Sequence, residues 1–228
     1  MEEKHIKISR SGLKLFEECP RCFWLNLHHK IKRPPGYPYT LSGAVDYLAK
    51  REFDSFREKS DLPAVIKKAG IEAKLFSGRE LADWRSNFTG VRYQDPELNA
   101  TLYGAIDDIL EFPDGSLAVV DYKSTGAREI TIYSDYQKQM DIYSYILAKS
   151  GYKTKDKAYF VFYIVQKEGD FNDRLNFRGE VREINVDPSW VEETFKRAVN
   201  LARSEEIPQS AADCKHCQFV TDIQALGQ

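Results

Sequence analysis

All four cysteines of the 228-residue chain stand in two Cys-x-x-Cys pairs, Cys19-Pro20-Arg21-Cys22 towards one end and Cys214-Lys215-His216-Cys217 towards the other. Each pair can present two sulfurs to a single ion, and two pairs complete a tetrahedral S4 site. A shared site staples an N-terminal helix to the C-terminal tail, which rules out any fold that keeps those segments apart. Redox disulfides and unconnected thiols are the plainer alternatives. Tetrahedral sulfur suits zinc and iron–sulfur clusters alike. His216 lies inside the second pair as a bystander, and His5, His28 and His29 show no ligand spacing.

A hydrophobic fraction of 42%, with 13% aromatic residues, is enough for a core and argues against disorder across the chain. No apolar run approaches the roughly 20 residues that span a bilayer. The opening MEEKHIKISRSG lacks the apolar stretch of a secretory signal. A cytoplasmic protein with no membrane partner is expected. The net charge of −2 leaves no global basic footprint for nucleic acid. His28-His29-Lys30-Ile31-Lys32-Arg33 is a local basic cluster, either a phosphate contact or a solvated helix end.

Hydrophobic spacing predicts a helix from Ser9 to Leu27, broken by the prolines at 34, 35 and 38. A second helix is expected from Leu41 to about Lys59, and a short one over Leu81 to Phe88. From Thr101 the character changes. Leu102 to Phe112 reads as a strand, Pro113-Asp114-Gly115 as a turn, and Ser116 to Lys123 as the returning strand. Ser134 to Ser150 reads as a helix, the apolar run Ala158 to Val165 as a buried strand, Val181 to Val186 as a further strand, and Pro188 to Arg203 as an amphipathic helix. The expected class is mixed α/β: a central sheet flanked by helices, with a helical N-terminal part. We expect one domain over residues 1–228, with helices in 9–60, a sheet core in 101–187, and the last helix and Cys-x-x-Cys in 188–220.

The chemistry centres on Asp107, Asp121 and Lys123. Residues two apart on a strand share a face, so Asp121 and Lys123 project together and Tyr122 faces away. The hairpin brings Asp107 alongside Asp121, while alternation turns Asp108 aside. Two converging carboxylates repel unless a cation lies between them. Hard oxygen donors select Mg²⁺ or Mn²⁺, and a lysine beside the ion is placed to orient or deprotonate water or to neutralise a phosphate. An isolated Asp-x-Lys is weak, since exposed strands often alternate charge. Here the carboxylate emerges directly from Leu117-Ala118-Val119-Val120, one tight turn after Gly104-x-x-Asp107.

The order Gly104-Ala105-Ile106-Asp107, Val120-Asp121-Tyr122-Lys123-Ser124 and Gln139-Met140-Asp141-Ile142-Tyr143 resembles the RecB-like branch of the PD-(D/E)XK nucleases. That branch carries GxxD, (D/E)xK and a helix bearing QxxxY. The resemblance implies a restriction-endonuclease-like fold. It makes Asp107 and Asp121 metal ligands, with the Tyr122 carbonyl a possible third, and Lys123 the catalytic lysine. Gln139 and Tyr143 would reach into the site from one helix face. Where such nucleases usually place a histidine, this chain has Leu41-Ser42-Gly43-Ala44-Val45-Asp46, so Asp46 is either a substitute oxygen ligand or a surface residue. The Cys-Pro-Arg-Cys-Phe string is similar to CRISPR-associated RecB-like and AddB-type nucleases, whose cysteines hold a [4Fe–4S] cluster. Carried over, Cys19, Cys22, Cys214 and Cys217 would bind that cluster, with Zn²⁺ as the alternative. Their usual arrangement is one cysteine before the core and three after, against two and two here.

The implied activity is metal-dependent hydrolysis of DNA, by an exonuclease or single-strand-preferring enzyme. It would act on single strands or duplex ends, with protein partners in repair, recombination or CRISPR-type processing. Two other classes compete. A catalytically inactive nucleic-acid-binding or assembly module would keep the fold and not the cleavage. A redox protein using its Cys-x-x-Cys pairs would lose activity on thiol alkylation and ignore chelators.

Overall fold

A computed structural model describes residues 4–226. In chain order its elements are β1 (Ile6–Ser9), α1 (Arg10–Glu18), α2 (Pro20–His29), α3 (Thr40–Glu58), α4 (Ala64–Lys68), β2 (Lys74–Leu75), α5 (Leu81–Arg85), β3 (Val91–Asp95), β4 (Ala100–Gly104), β5 (Asp108–Glu111), β6 (Leu117–Thr125), α6 (Ser134–Lys149), β7 (Lys157–Val165), β8 (Phe177–Asn185), a 3₁₀ turn (Pro188–Trp190), α7 (Val191–Arg203) and α8 (Lys215–Leu226). The chain divides into two compact units. One holds Met1–Tyr37, Gln94–Tyr103 and Ser189–Gln228, and the other holds Pro38–Tyr93 and Gly104–Pro188.

The second unit is built on a five-stranded sheet of order β2-β5-β6-β7-β8. The expected hairpin forms: β5 and β6 pair antiparallel, from Glu111 opposite Leu117 to Asp108 opposite Val120. Gly115, at φ +75°, supplies the left-handed residue this turn requires. Strands β6 and β7 run parallel, so the chain must cross over between them, and α6 is that crossover. β8 then pairs antiparallel with β7 along nine residues, Phe177 to Asn185. Alternation along β6 decides the layers. Ala118, Val120 and Tyr122 face a core shared with Ala49 and Phe53 of α3, and the Tyr122 and Phe53 rings lie 4.8 Å apart. Asp121 and Lys123 face the other way, towards α6.

The first unit pairs β1 with β4 in parallel, Ile6 opposite Ala100 through Ser9 opposite Tyr103. β4 also continues a three-stranded sheet of order β1-β4-β3. Its helices contribute Leu13, Phe16, Phe23, Trp24, Phe195 and Val199 to the buried interior.

Two expected elements are interrupted. The helix predicted over 9–27 is two helices hinged at Cys19, whose backbone is extended at φ −164° and ψ 107°. Pro20 forces this, because its ring disfavours a helical residue before it and it has no N–H to donate. The strand predicted over 102–112 is also two, β4 and β5, in different sheets. Residues 105–107 between them bond to the end of α5 instead of a neighbouring strand. Ile106 N–H donates to the Trp84 carbonyl at 3.0 Å, and Arg85 Nε donates to the Asp107 carbonyl at 2.7 Å. Close backbone passage at this point requires Gly90, where a Cβ would lie 2.6 Å from the Gly104 carbonyl oxygen.

Candidate active site

The three elements that build the site each contribute for a local reason. β6 projects Asp121 and Lys123 on one face because they are two residues apart. The non-strand step at 105–107 ends beside β6, so the Asp107 side chain reaches past the last β5 pair, where its Oδ2 accepts the Tyr122 N–H at 3.1 Å. α6 lies over the Asp121 face, and Gln139 Nε2 donates to Asp121 Oδ1 at 2.6 Å. Tyr143, one turn on, is buried within α6.

Asp121 is only 3% exposed. Its Oδ2 forms an ion pair with Lys123 Nζ. Burial first, then the Asp107 charge, push the Asp121 carboxyl up to about 7, with Lys123 partly offsetting them. The Lys123 ammonium also lies 4.8 Å from the Tyr136 ring centroid and 5.7 Å from that of Phe160, so aromatic faces confine it.

Asp46 is at the site, but not as a direct neighbour of Asp107 or Asp121. Lys50, one turn further along α3, stands between: its Nζ lies 2.8 Å from Asp46 Oδ2 and 2.8 Å from Asp107 Oδ1. Asp107, Asp121 and Asp46 offer the hard oxygens that a Mg²⁺- or Mn²⁺-type ion takes, although their oxygens do not all lie within 4.8 Å of one another. Lys50 was not anticipated, although its spacing of four from Asp46 places both on one helix face.

Asp108, expected to turn aside, is fully buried and forms the floor beneath the site. It accepts from Arg57, from Arg85 Nη2 at 2.6 Å and from the Tyr122 hydroxyl at 2.7 Å. Arg85 Nη1 also holds both oxygens of Asp54, at 2.8 and 2.9 Å. Arg85 thus ties Asp108 to the Asp107 carbonyl through one planar fork. No motif points to it, because the pairing joins three segments far apart in sequence. Arg85→Ala leaves Asp108 buried with half its compensation. It should cost about 3–5 kcal/mol, read as a fall in melting temperature of roughly 6–15 °C.

A family model described as the PD-(D/E)XK nuclease superfamily matches residues 33–221. The chain belongs to that superfamily. Among curated proteins, no sequence matches. Three solved structures align over almost the whole nuclease chain. SSO0001 is 14% identical with a TM-score of 0.45, covering 97% of this chain and 87% of its own. LHK-Exo in complex with dAMP is 11% identical with a TM-score of 0.41, covering 96% and 91%. A phage-related exonuclease from Haemophilus somnus 129PT is 13% identical with a TM-score of 0.43, covering 96% and 97%.

The nuclease chain's second concentration of ligands lies in its other unit. Cys19 caps α2, Cys22 sits in the first turn of that helix, and Cys214 and Cys217 flank the start of α8. Their four sulfurs fall within 4.8 Å of one another, and among the described residues no other such group of histidine, cysteine or acidic side chains does so. Cys19 and Cys217 sulfurs are 3.8 Å apart, Cys22 and Cys214 3.7 Å, Cys22 and Cys217 3.6 Å. Burial raises the Cys214 thiol, but the Cys217 backbone N–H and the neighbouring thiols outweigh it and bring it down to about 7. Arg33 from the basic run is occupied here, by Glu18 and by Cys214 at 3.6 Å. His28 stacks on Trp24 at 4.3 Å, while His28 to Lys32 remain exposed. No described helix is long and apolar enough to cross a membrane.

Proposed function

We propose that this chain is a Mg²⁺- or Mn²⁺-dependent deoxyribonuclease of the RecB-like branch. It acts as an exonuclease or on single strands, in repair, recombination or CRISPR-type DNA processing. The observation that carries the reading is the meeting of Asp107, Asp121 and Lys123, with Gln139 pinning one Asp121 oxygen and the other turned to Lys123. When bound, the divalent ion supplies Lewis acidity that activates water and offsets charge on the phosphate. Asp107 and Asp121 would hold it, with Asp46 and the Tyr122 carbonyl as further oxygen donors. Gln139 fixes the Asp121 rotamer so that Oδ2 points into the site. Lys123, held by its aromatic neighbours, orients the attacking water or takes its proton, and Tyr143 supports α6 behind Gln139. The test is degradation of single-stranded DNA and nicking of plasmid with Mn²⁺. Loss of cleavage on chelation is expected, and cleavage indifferent to EDTA would sink the assignment.

One observation favours the second reading, an inactive nucleic-acid-binding or assembly module: Lys50 and Lys123 already pair with all three carboxylates. That reading predicts nucleic-acid binding with no metal-dependent cleavage in the same assay.

For the cysteine site we infer one tetrahedral ion, Zn²⁺, in place of the [4Fe–4S] cluster the resemblance implies. A zinc–sulfur bond of roughly 2.3 Å sets tetrahedral sulfur separations of about 3.8 Å, in line with the spacings of 3.6–3.8 Å here. Cluster cysteines bind four different irons, which holds their sulfurs further apart.

Proton linkage gives a further expectation. A proton on Asp121 competes with the ion, so Mn²⁺ affinity should rise as pH increases through about 7 and level off above it. The sign for folding is the reverse. A carboxyl raised above its unfolded value adds stability below that value and loses it as pH rises through the folded one. The metal-free chain should therefore melt lower at pH 8 than at pH 5.5 through this group. Mn²⁺ titrations at several pH values check the first part, and a pH-independent affinity contradicts it.

A further inference from the structure

Resting on that metal-dependent reading, we propose that Lys50 is the resident cation of the Asp46–Asp107 pair, bridging the two carboxylates until a divalent ion displaces it. Its Nζ is 2.8 Å from an oxygen of each, and its side chain is 24% exposed, shielded but open to exchange. No other described contact holds Asp46 near Asp107.

Charge counting points the same way. Three carboxylates, Asp46, Asp107 and Asp121, face two ammonium groups, Lys50 and Lys123, leaving one formal negative charge. With Lys50 withdrawn the set carries two, matching a divalent cation. Displacement by a divalent ion would exchange one cation for another between the same two carboxylates. The backbone supports such an exchange. Asp107 keeps its Oδ2 bond to the Tyr122 N–H and its carbonyl bond to Arg85 whether or not Lys50 stays. The long, unbranched lysine stem can swing while the carboxylate remains placed.

The exchange has a signed consequence. If Lys50 merely positioned Asp107, removing it would weaken metal binding. If Lys50 is the competitor, removing it tightens binding. The experiment is Mn²⁺ titration of the full chain by calorimetry or electron paramagnetic resonance, with melting temperatures measured with and without Mn²⁺. It compares the wild type with Lys50→Met, Lys50→Arg and Asp121→Ala. Lys50→Met should bind Mn²⁺ at least fivefold more tightly, melt lower without metal, and gain more on adding it. Lys50→Arg keeps the charge and should bind no more tightly than the wild type. Equal or weaker binding by Lys50→Met, or equal tightening by both Lys50 variants, overturns the exchange. A wild type that binds no Mn²⁺, or an Asp121→Ala that binds as well as the wild type, removes the metal site itself and the exchange with it, a pattern distinct from the first.

Discussion

Asp121→Asn and Lys123→Ala should each lower Mn²⁺-dependent cleavage by about a thousandfold, while Asp121→Asn should raise the melting temperature of the metal-free chain. The loss follows from the roles proposed. Without the carboxylate the ion loses a ligand, and without the ammonium the water loses its orienting partner. A positioned acid–base group contributes roughly 10²–10⁴-fold. The gain in stability follows from burial. A carboxylate 3% exposed is costly to charge, and burial with the neighbouring Asp107 charge outweighs what the Lys123 ion pair returns. An uncharged amide of the same shape relieves on the order of 1–3 kcal/mol of that cost, or roughly 2–10 °C. The opposite signs matter. A merely structural Asp121 would lose both activity and stability on substitution, whereas a site strained for function loses one and gains the other. Differential scanning calorimetry in EDTA beside a single-strand cleavage assay reads both, and undiminished cleavage by either variant removes the site.

The second large effect belongs to the cysteines. Cys22→Ser should cut bound zinc from one ion per chain to well below half, and lower the melting temperature by roughly 6–15 °C, for a loss on the order of 3–5 kcal/mol. Binding energy at a structural site is folding energy, because the unfolded chain cannot gather four sulfurs whose positions in sequence lie up to 198 apart. Hydrogen exchange should accelerate in α1, α2 and α8, whose ends the sulfurs tie together. Metal analysis is decisive on identity. One zinc and a colourless protein support the single-ion reading, whereas about four irons with absorbance near 400 nm restore the cluster.

How far the sequence could be read depended on the range of each interaction. The β5–β6 hairpin was legible because the Asp114-Gly115 turn and the flanking apolar runs act over a few residues. Asp121 and Lys123 were legible because strand alternation fixes which side chains share a face. The break at Cys19 was written locally in Pro20, but the helical spacing of Leu13, Phe16, Phe23 and Leu27 runs through it and hid it. The break between β4 and β5 was written nowhere nearby: the groups that claim residues 106 and 107 are Trp84 and Arg85.

By itself, then, the sequence determined the β5–β6 hairpin, the shared face of Asp121 and Lys123, and the placing of four cysteines in two Cys-x-x-Cys pairs. Tertiary structure decided that Asp108 is a buried anchor for Arg57 and Arg85, and that Lys50 stands between Asp46 and Asp107. It also gathered the four sulfurs within 4.8 Å of one another. The physical reason is common to all three. Periodicity and turn chemistry act along the chain, while compensation of a buried charge depends on whichever segment folding brings beside it.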